Sequence, residues 1–334
     1  MRVVTLVRCV LACLMGVAAA SCGADKSGIT GPGNPGPIND VRLESDVGDY
    51  IGGGQTYDYS QANATITVTA QGGHLSIGIA GDEGWSGDFQ MPSALNQLQP
   101  GNYTGLQRYP FHDPVKGGLS WYGEGRGCNT LSGSFSVDSV RYVGTTLLAV
   151  ALRFEQHCEG GTPALRGTIH WRSGDTTAPP GPVRPIPGGL WRPAPGSTPS
   201  TGNYVYLQSD AGDYIGGGAT TTYTPATASI GVTASGGHLS VSVASWSGDF
   251  QAMTTLSAIE AGYYADLRRY PFHNPVKGGL SWYGEGRGCN TLLGWFAVDR
   301  VSYTGSALTA LDLRFEQHCE GGVPALHGAI HWDA

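Results

Sequence analysis

Apolar and polar residues alternate along much of this chain with a period of two. The run "ATITVTA" (64–70) places Ile66 and Val68 on one face, and "HLSIGIA" (74–80) alternates in the same way. The "QGG" between them predicts a hairpin turn. Further strands are predicted over 133–140 ("GSFSVDSV"), 147–154 ("LLAVALRF") and 164–171 ("ALRGTIHW"). In the second of these, Leu148, Val150, Leu152 and Phe154 are expected to share one face. No stretch shows a period of 3.6. Short strands separated by Gly and Pro predict an all-β chain built from antiparallel β-sandwich, jelly-roll-like domains.

The chain writes most of this pattern twice. "SDVGDYIGGG" (45–54) returns as "SDAGDYIGGG" (209–218). "YPFHDPVKGGLSWYGEGRGCNTL" (109–131) returns at 270–292 with one change, Asp113 to Asn274, and "LRFEQHCEGG" (152–161) returns at 313–322. The offset falls from 164 to 161 between the first block and the other two. The three extra residues of copy one lie where "AGDEGWSGDF" faces "ASWSGDF". A repeat of about 130 residues is the size of a whole domain. The expected organisation is repeat 1 over 41–173 and repeat 2 over 203–334. Between them, residues 174–202 carry eight prolines, the composition of a semi-rigid extended spacer.

The first 21 residues read as a signal peptide: Arg2 and Arg8 flank a short apolar run, and a longer one follows from Cys9 to Ala20. That run is too short for a stable membrane span. It ends "AAASC", which resembles a bacterial lipobox with Cys22 as the acylated residue, although Ala19 stands where Leu is usual; ordinary signal-peptidase cleavage nearby is the competing reading. The Gly- and Pro-rich residues 22–40 then form a flexible tether from lipid to domain. These features predict a protein of the bacterial cell envelope, exported and lipid-anchored at the outer membrane or cell surface. Four cysteines remain after Cys9, Cys13 and Cys22 are set aside. One pair per repeat selects Cys128–Cys158 and Cys289–Cys319 from the three connectivities. Each bridge closes a loop of about thirty residues, worth about 3–4 kcal/mol.

Charged residues make up 13% of the chain, the net charge is −7, and the only lysines are Lys26, Lys116 and Lys277. Without a basic run, a nucleic-acid partner is not expected; a glycan or a surface protein is compatible with this balance. The duplicated phrase "WYGEGRGC" places Trp121, Tyr122, Glu124 and Arg126 at one end of the expected disulfide, and "EQHCEGG" places Glu155, Gln156, His157 and Glu159 at the other. Aromatics beside carboxylates and an Arg suit a carbohydrate site, where a sugar face stacks on a ring and the polar rim bonds hydroxyls. The ligand-binding candidates are therefore Trp121, Tyr122, Glu124, Arg126, Glu155 and His157, with Trp282, Tyr283, Glu285, Arg287, Glu316 and His318 in repeat 2. The competing reading makes both Trp residues core and the charged groups an ion-pair cluster around the disulfide.

Glycoside hydrolysis needs two flanking carboxylates, and Glu124 with Glu155 or Glu159 is the candidate pair. Neither G-x-S-x-G nor HExxH is present, and no catalytic residue is assigned. Asp46 and Asp49, with Asp210 and Asp213 in repeat 2, lack the EF-hand layout, and the segment is read as an Asx-type turn in which Asp46 caps backbone amides before a strand at Tyr50, rather than as a calcium site. The histidines have no zinc spacing. No metal and no cofactor is expected.

The motifs "GDYIGGG", "GRGCNTLSGSF" and "FEQHCEGGTPALRG" resemble a set that recurs in exported bacterial proteins and lipoproteins, often beside Ig-like or other β modules. The resemblance spans both copies, departs at "LLGWFAV" (292–298) where Trp295 replaces Ser134, and implies a secreted β domain without transferring any chemistry. The sequence thus predicts a lipoprotein with two disulfide-stapled binding or adhesion modules. A structural envelope component is the alternative, and a glycan-active hydrolase comes third.

Overall fold

A computed structural model describes residues 39–334. The signal peptide, Cys22 and nearly all of the tether lie outside the described residues. In repeat 1 the strands are β1 (Asp40–Ser45), β2 (Thr56–Ser60), β3 (Thr65–Gln71), β4 (His74–Ala80), β5 (Gly84–Gln90), β6 (Gly101–Arg108), β7 (Gly118–Gly123), β8 (Leu131–Val143), β9 (Thr146–Cys158) and β10 (Leu165–Arg172). Repeat 2 contains β11 (Tyr204–Ser209), β12 (Thr220–Tyr223), β13 (Ile230–Ser235), β14 (His238–Val243), β15 (Trp246–Gln251), β16 (Gly262–Arg269), β17 (Gly279–Gly284), β18 (Leu292–Thr304), β19 (Ala307–Cys319) and β20 (Leu326–Asp333). Among the described residues the chain is all-β and holds two tandem domains, as the pattern predicts.

Each domain is one ten-stranded sheet, rolled until it is nearly closed and barrel-like. In repeat 1 the order is β2-β1-β10-β9-β8-β6-β7-β5-β4-β3, and repeat 2 reproduces it strand for strand. The first and last strands lie side by side, with Val41 opposite Ile169. The predicted hairpin between β3 and β4 turns on Gly72 and Gly73, both at positive φ (57° and 76°), the backbone of a two-residue turn that favours glycine. Alternation then buries Leu75, Ile77 and Ile79. Along β9 the expected face holds at Val150, Leu152 and Phe154. A register shift between Arg141 and Tyr142 of its partner strand, however, puts Leu147 rather than Leu148 in the core.

An aromatic cluster fills the core. The Trp121 ring stacks on Phe154 at 5.0 Å, while Phe89 meets Phe135 and Phe154 edge-on, both at 5.5 Å. The rings lie flat against glycines of neighbouring strands: a Cβ on Gly87 would come within 2.2 Å of Trp121, and one on Gly167 within 2.1 Å of Phe154. These strand glycines are spaces for rings. Gly248 under Trp282 and Gly328 under Phe315 repeat the device.

The proline-rich segment is not a free spacer. Val183 forms a two-way bridge with Tyr263, Arg184 pairs with Glu260 at 2.7 Å, and the Trp191 ring stacks on His327 at 4.9 Å. Arg314 donates to the Trp191 carbonyl at 2.6 Å. The cross-strand row on this face of repeat 2 reads Tyr206, Ala329, Arg314, Ala297, Tyr263. In repeat 1 the same row reads Arg42, Thr168, Arg153, Ser136, Asn102. Repeat 2 has exchanged four polar residues for apolar or aromatic ones on the face that the segment contacts, and Trp295, buried there, replaces Ser134 in the adjoining row.

The repeats also touch directly. Asn274 donates to the Asn63 carbonyl at 2.8 Å and to Asp82 at 3.1 Å, and Lys277 pairs with the other Asp82 oxygen at 2.7 Å. Asp82 belongs to the three residues that only repeat 1 carries.

Candidate functional site

The repeated phrase is half strand and half turn. Gly118–Gly123 forms β7, and the chain reverses at Glu124 and Gly125, both at positive φ (51° and 70°). Gly123 and Arg126 then exchange backbone hydrogen bonds. Strand geometry separates the aromatic pair, since successive side chains point to opposite faces. Trp121 is 1% exposed and Tyr122 43%; Trp282 is 1% exposed and Tyr283 44%. The faces of both Trp rings are covered by core residues, which removes Trp121 and Trp282 as stacking platforms.

β7 pairs with β6 through Gly118 and Leu119 alone, so its edge is open from Ser120 onward. Gln156, fully buried, fills that gap. Its Oε1 accepts from the Trp121 N–H and its Nε2 donates to the Trp121 carbonyl, each at 2.8 Å. Gln317 makes the same pair of bonds to Trp282. The disulfides Cys128–Cys158 and Cys289–Cys319, with Cα–Cα distances of 5.1 Å, tie the end of the phrase to β9 and β19. Both bridges are as expected, and they fit an exported, oxidising environment.

Outside the core, the phrase lines a cleft that recurs in both repeats. In repeat 1 it holds about 430 Å³, walled by Asp88, Arg108, Tyr109, Tyr122, Arg126 and Cys128. In repeat 2 it holds about 480 Å³, walled by Asp249, Arg269, Tyr270, Tyr283, Arg287 and Cys289. Asp88 lies 2.9 Å from His74 Nε2, and the His74 ring stacks on Tyr109 at 4.6 Å. His238, Asp249 and Tyr270 repeat this at 2.9 and 4.7 Å. The Arg126 guanidinium lies over Trp85 at 5.7 Å and that of Arg287 over Trp246 at 5.6 Å. Burial, with Asp249 nearby, pushes the Tyr283 hydroxyl above its ordinary pKa.

The disulfide does not bring the second half of the predicted site to this cleft. Of the polar residues at the end of β9 only Gln156 turns inward, on the face of Leu152 and Phe154; Glu155 and His157 flank it on the other face. There the His157 Nε2–Glu155 contact is 3.2 Å, Arg166 bonds Glu155 at 2.7 Å, and Arg166 reaches Asp46 at 2.8 Å. Burial pushes the Glu155 carboxyl up, but the Arg166 and His157 contacts more than offset this and hold it below its usual value. In repeat 2, a Glu316 oxygen lies 3.1 Å from His327 Nδ1, and Glu316 contacts His318 Nε2 at 3.2 Å. The His327 contact, opposed by burial and aided by His318 and Trp295, lowers the Glu316 carboxyl to about 2.

The remaining glutamates have structural partners. Glu124 accepts from the Gly84 N–H at 2.7 Å, and its counterpart Glu285 bonds the Ser245 hydroxyl. Glu159 accepts from the N–H groups of Asn129 and Thr130 and from the Thr130 hydroxyl, as Glu320 does from Asn290 and Thr291. Asp49 is 5% exposed and accepts from the Gly52 N–H and the Ser45 hydroxyl, both at 2.7 Å. The turn expected of "SDVGDYIGGG" is present, but Asp49 rather than Asp46 caps it and Tyr50 lies in the turn rather than in a strand; Asp46 instead accepts from the Ala164 N–H and pairs with Arg166.

Of the predicted residues, Tyr122 and Arg126, with Tyr283 and Arg287, line the cleft, joined in repeat 2 by Trp282. Asp88, Arg108 and Tyr109 were missed. The signal for Tyr109 was its place in the longest near-identical block, and for Asp88 its place in "WSGDF", shared by both copies. No family model, curated protein or solved structure matches the chain, so the comparison between its own two copies carries the reading of the site.

Proposed function

We propose that this protein is an exported, lipid-anchored receptor whose two domains bind carbohydrate in the cleft beside the repeated phrase. The observation that carries the reading is the duplication of the cleft. Six lining positions keep the same residue types and geometry in both repeats, while the face next to the linker has been rewritten. A half-exposed Tyr, a second Tyr oriented by a His–Asp pair, and two Arg side chains combine a ring for an apolar sugar face with polar groups at its rim. Two such sites on one chain gain avidity for a repeating polymer. Binding is favoured over hydrolysis because each cleft is lined by a single carboxylate, Asp88 or Asp249, already engaged by a histidine, whereas glycoside hydrolysis uses two.

The test is an array of neutral and acidic oligosaccharides probed with the intact protein and with Tyr122→Ala/Tyr283→Ala. The expected result is binding by the wild type and loss of it in the double variant, with the melting temperature within a few degrees of wild type because both rings are half-exposed. Absence of binding to any saccharide, or binding that survives loss of both rings, overturns the reading.

A further inference from the structure

We infer that the two clefts select an anionic saccharide, a sugar bearing a carboxylate or sulfate group held by the cleft arginines. This rests on the carbohydrate reading above and adds the ligand's charge. Of the ten other arginines among the described residues, seven hold a carboxylate: Arg42, Arg153, Arg166, Arg184, Arg300 and Arg314 within 3.0 Å and Arg192 at 3.3 Å, whereas Arg141, Arg172 and Arg268 do not. The four cleft arginines form no ion pair with any described carboxylate. Arg108 and Arg269 donate instead to the carbonyls of Asn129 and Asn290 at 3.3 Å, and Arg126 and Arg287 rest on indole rings. Each cleft therefore holds two guanidiniums and one carboxylate, and that carboxylate is engaged by histidine. A chain of net charge −7 has kept unpaired positive charge in both copies of one cleft.

A second observation points the same way. Arg126 Nε is buried without an acceptor, and so are the indole N–H groups of Trp121 and Trp282. Trp282, though 1% exposed, is among the residues that line the repeat 2 cleft. Buried donors without acceptors are uncommon and costly, and an anionic group supplies acceptor oxygens. A planar carboxylate also matches the guanidinium fork in a way a sugar hydroxyl does not. The exposed Tyr beside these donors accounts for a ring-bearing anion rather than a bare one.

The experiment is titration calorimetry of the intact protein with three probes: oligogalacturonate for carboxylate, sulfated dextran for sulfate, and unmodified dextran as the neutral sugar. At least one acidic probe is expected to bind, more weakly as salt rises, and unmodified dextran is expected not to bind. Which acidic probe binds identifies the anion. Arg126→Gln/Arg287→Gln should weaken that binding roughly 10- to 100-fold. Arg108→Gln/Arg269→Gln, in the same clefts, provides a second pair if the first unfolds. Equal binding of dextran, or acidic binding indifferent to both Arg pairs, overturns this inference and leaves the carbohydrate reading standing. Failure of all three probes together with a blank oligosaccharide array overturns both.

Discussion

The pair Trp121–Tyr122 shows how far single residues could be read. Taken as two aromatics in a glycine-rich loop, both suit a sugar platform. Taken as neighbours in a strand, they must face opposite ways, and the structure buries one and half-exposes the other. The strand was hidden because "GLSWYG" does not alternate: its first four residues are all buried. Gln156 was visible as a polar residue beside a cysteine, but its role depends on β7 lacking a partner along one edge, a fact of topology. Replacing it should therefore cost more than a surface amide would. Gln156→Leu strands the Trp121 N–H and carbonyl, each worth about 1–3 kcal/mol when buried and unpaired. The expected loss is about 2–6 kcal/mol, read as the shift in a urea-unfolding midpoint. A variant as stable as wild type would show that water or a local rearrangement satisfies those groups. Trp121→Ala, by contrast, should cost about 3–5 kcal/mol through the cavity it leaves under Phe154.

At the scale of elements, the hairpins with clean alternation were legible and β1, β2, β5, β6 and β7 were not. β5 carries Gly87 where alternation asks for a large apolar residue, because the Trp121 ring occupies that space from the next strand. The linker was legible as proline-rich, and composition alone does not distinguish a free spacer from one laid along a sheet. The informative signal was the difference between copies, Arg42 against Tyr206 and Ser134 against Trp295. This face also holds the carboxyl with the largest acid shift. Glu316 has a lower pKa folded than unfolded, so its contribution is complete above about pH 4.5 and is lost as pH falls toward 2. Stability is expected to decline across that window in thermal melts, and Glu316→Gln should flatten the decline while lowering stability at neutral pH. An unchanged pH profile in the variant would assign the acid sensitivity to other carboxylates.

At the scale of the whole molecule, the two small differences within the repeated blocks meet at one contact. The loop 112–117 of repeat 1 and the loop 273–278 of repeat 2 differ in a single residue, yet Val115 is 76% exposed and Val276 3%, and Asn274 is 1% exposed. What buries the second loop is repeat 1, and the residue it grips, Asp82, lies in the insertion that repeat 2 lacks. An Asp at position 274 would set a carboxylate against Asp82 and remove the amide that now donates to it, so the Asp-to-Asn change and the insertion are complementary halves of one joint. Repeat 2 closes its β14–β15 hairpin with Ala244 and Ser245 and offers no such acidic residue. Amide hydrogen exchange tests this with an internal control, because the two loops share nearly the same sequence. In the wild type, residues 274–278 should exchange more slowly than residues 113–117. In Asp82→Lys, which places like charge against Lys277, the two loops should exchange at matching rates while the β-sheet amides keep their protection. If the loops already exchange alike in the wild type, the joint does not hold in solution and the two clefts move independently. If the difference survives Asp82→Lys, Val276 packing rather than the polar contact holds the domains together.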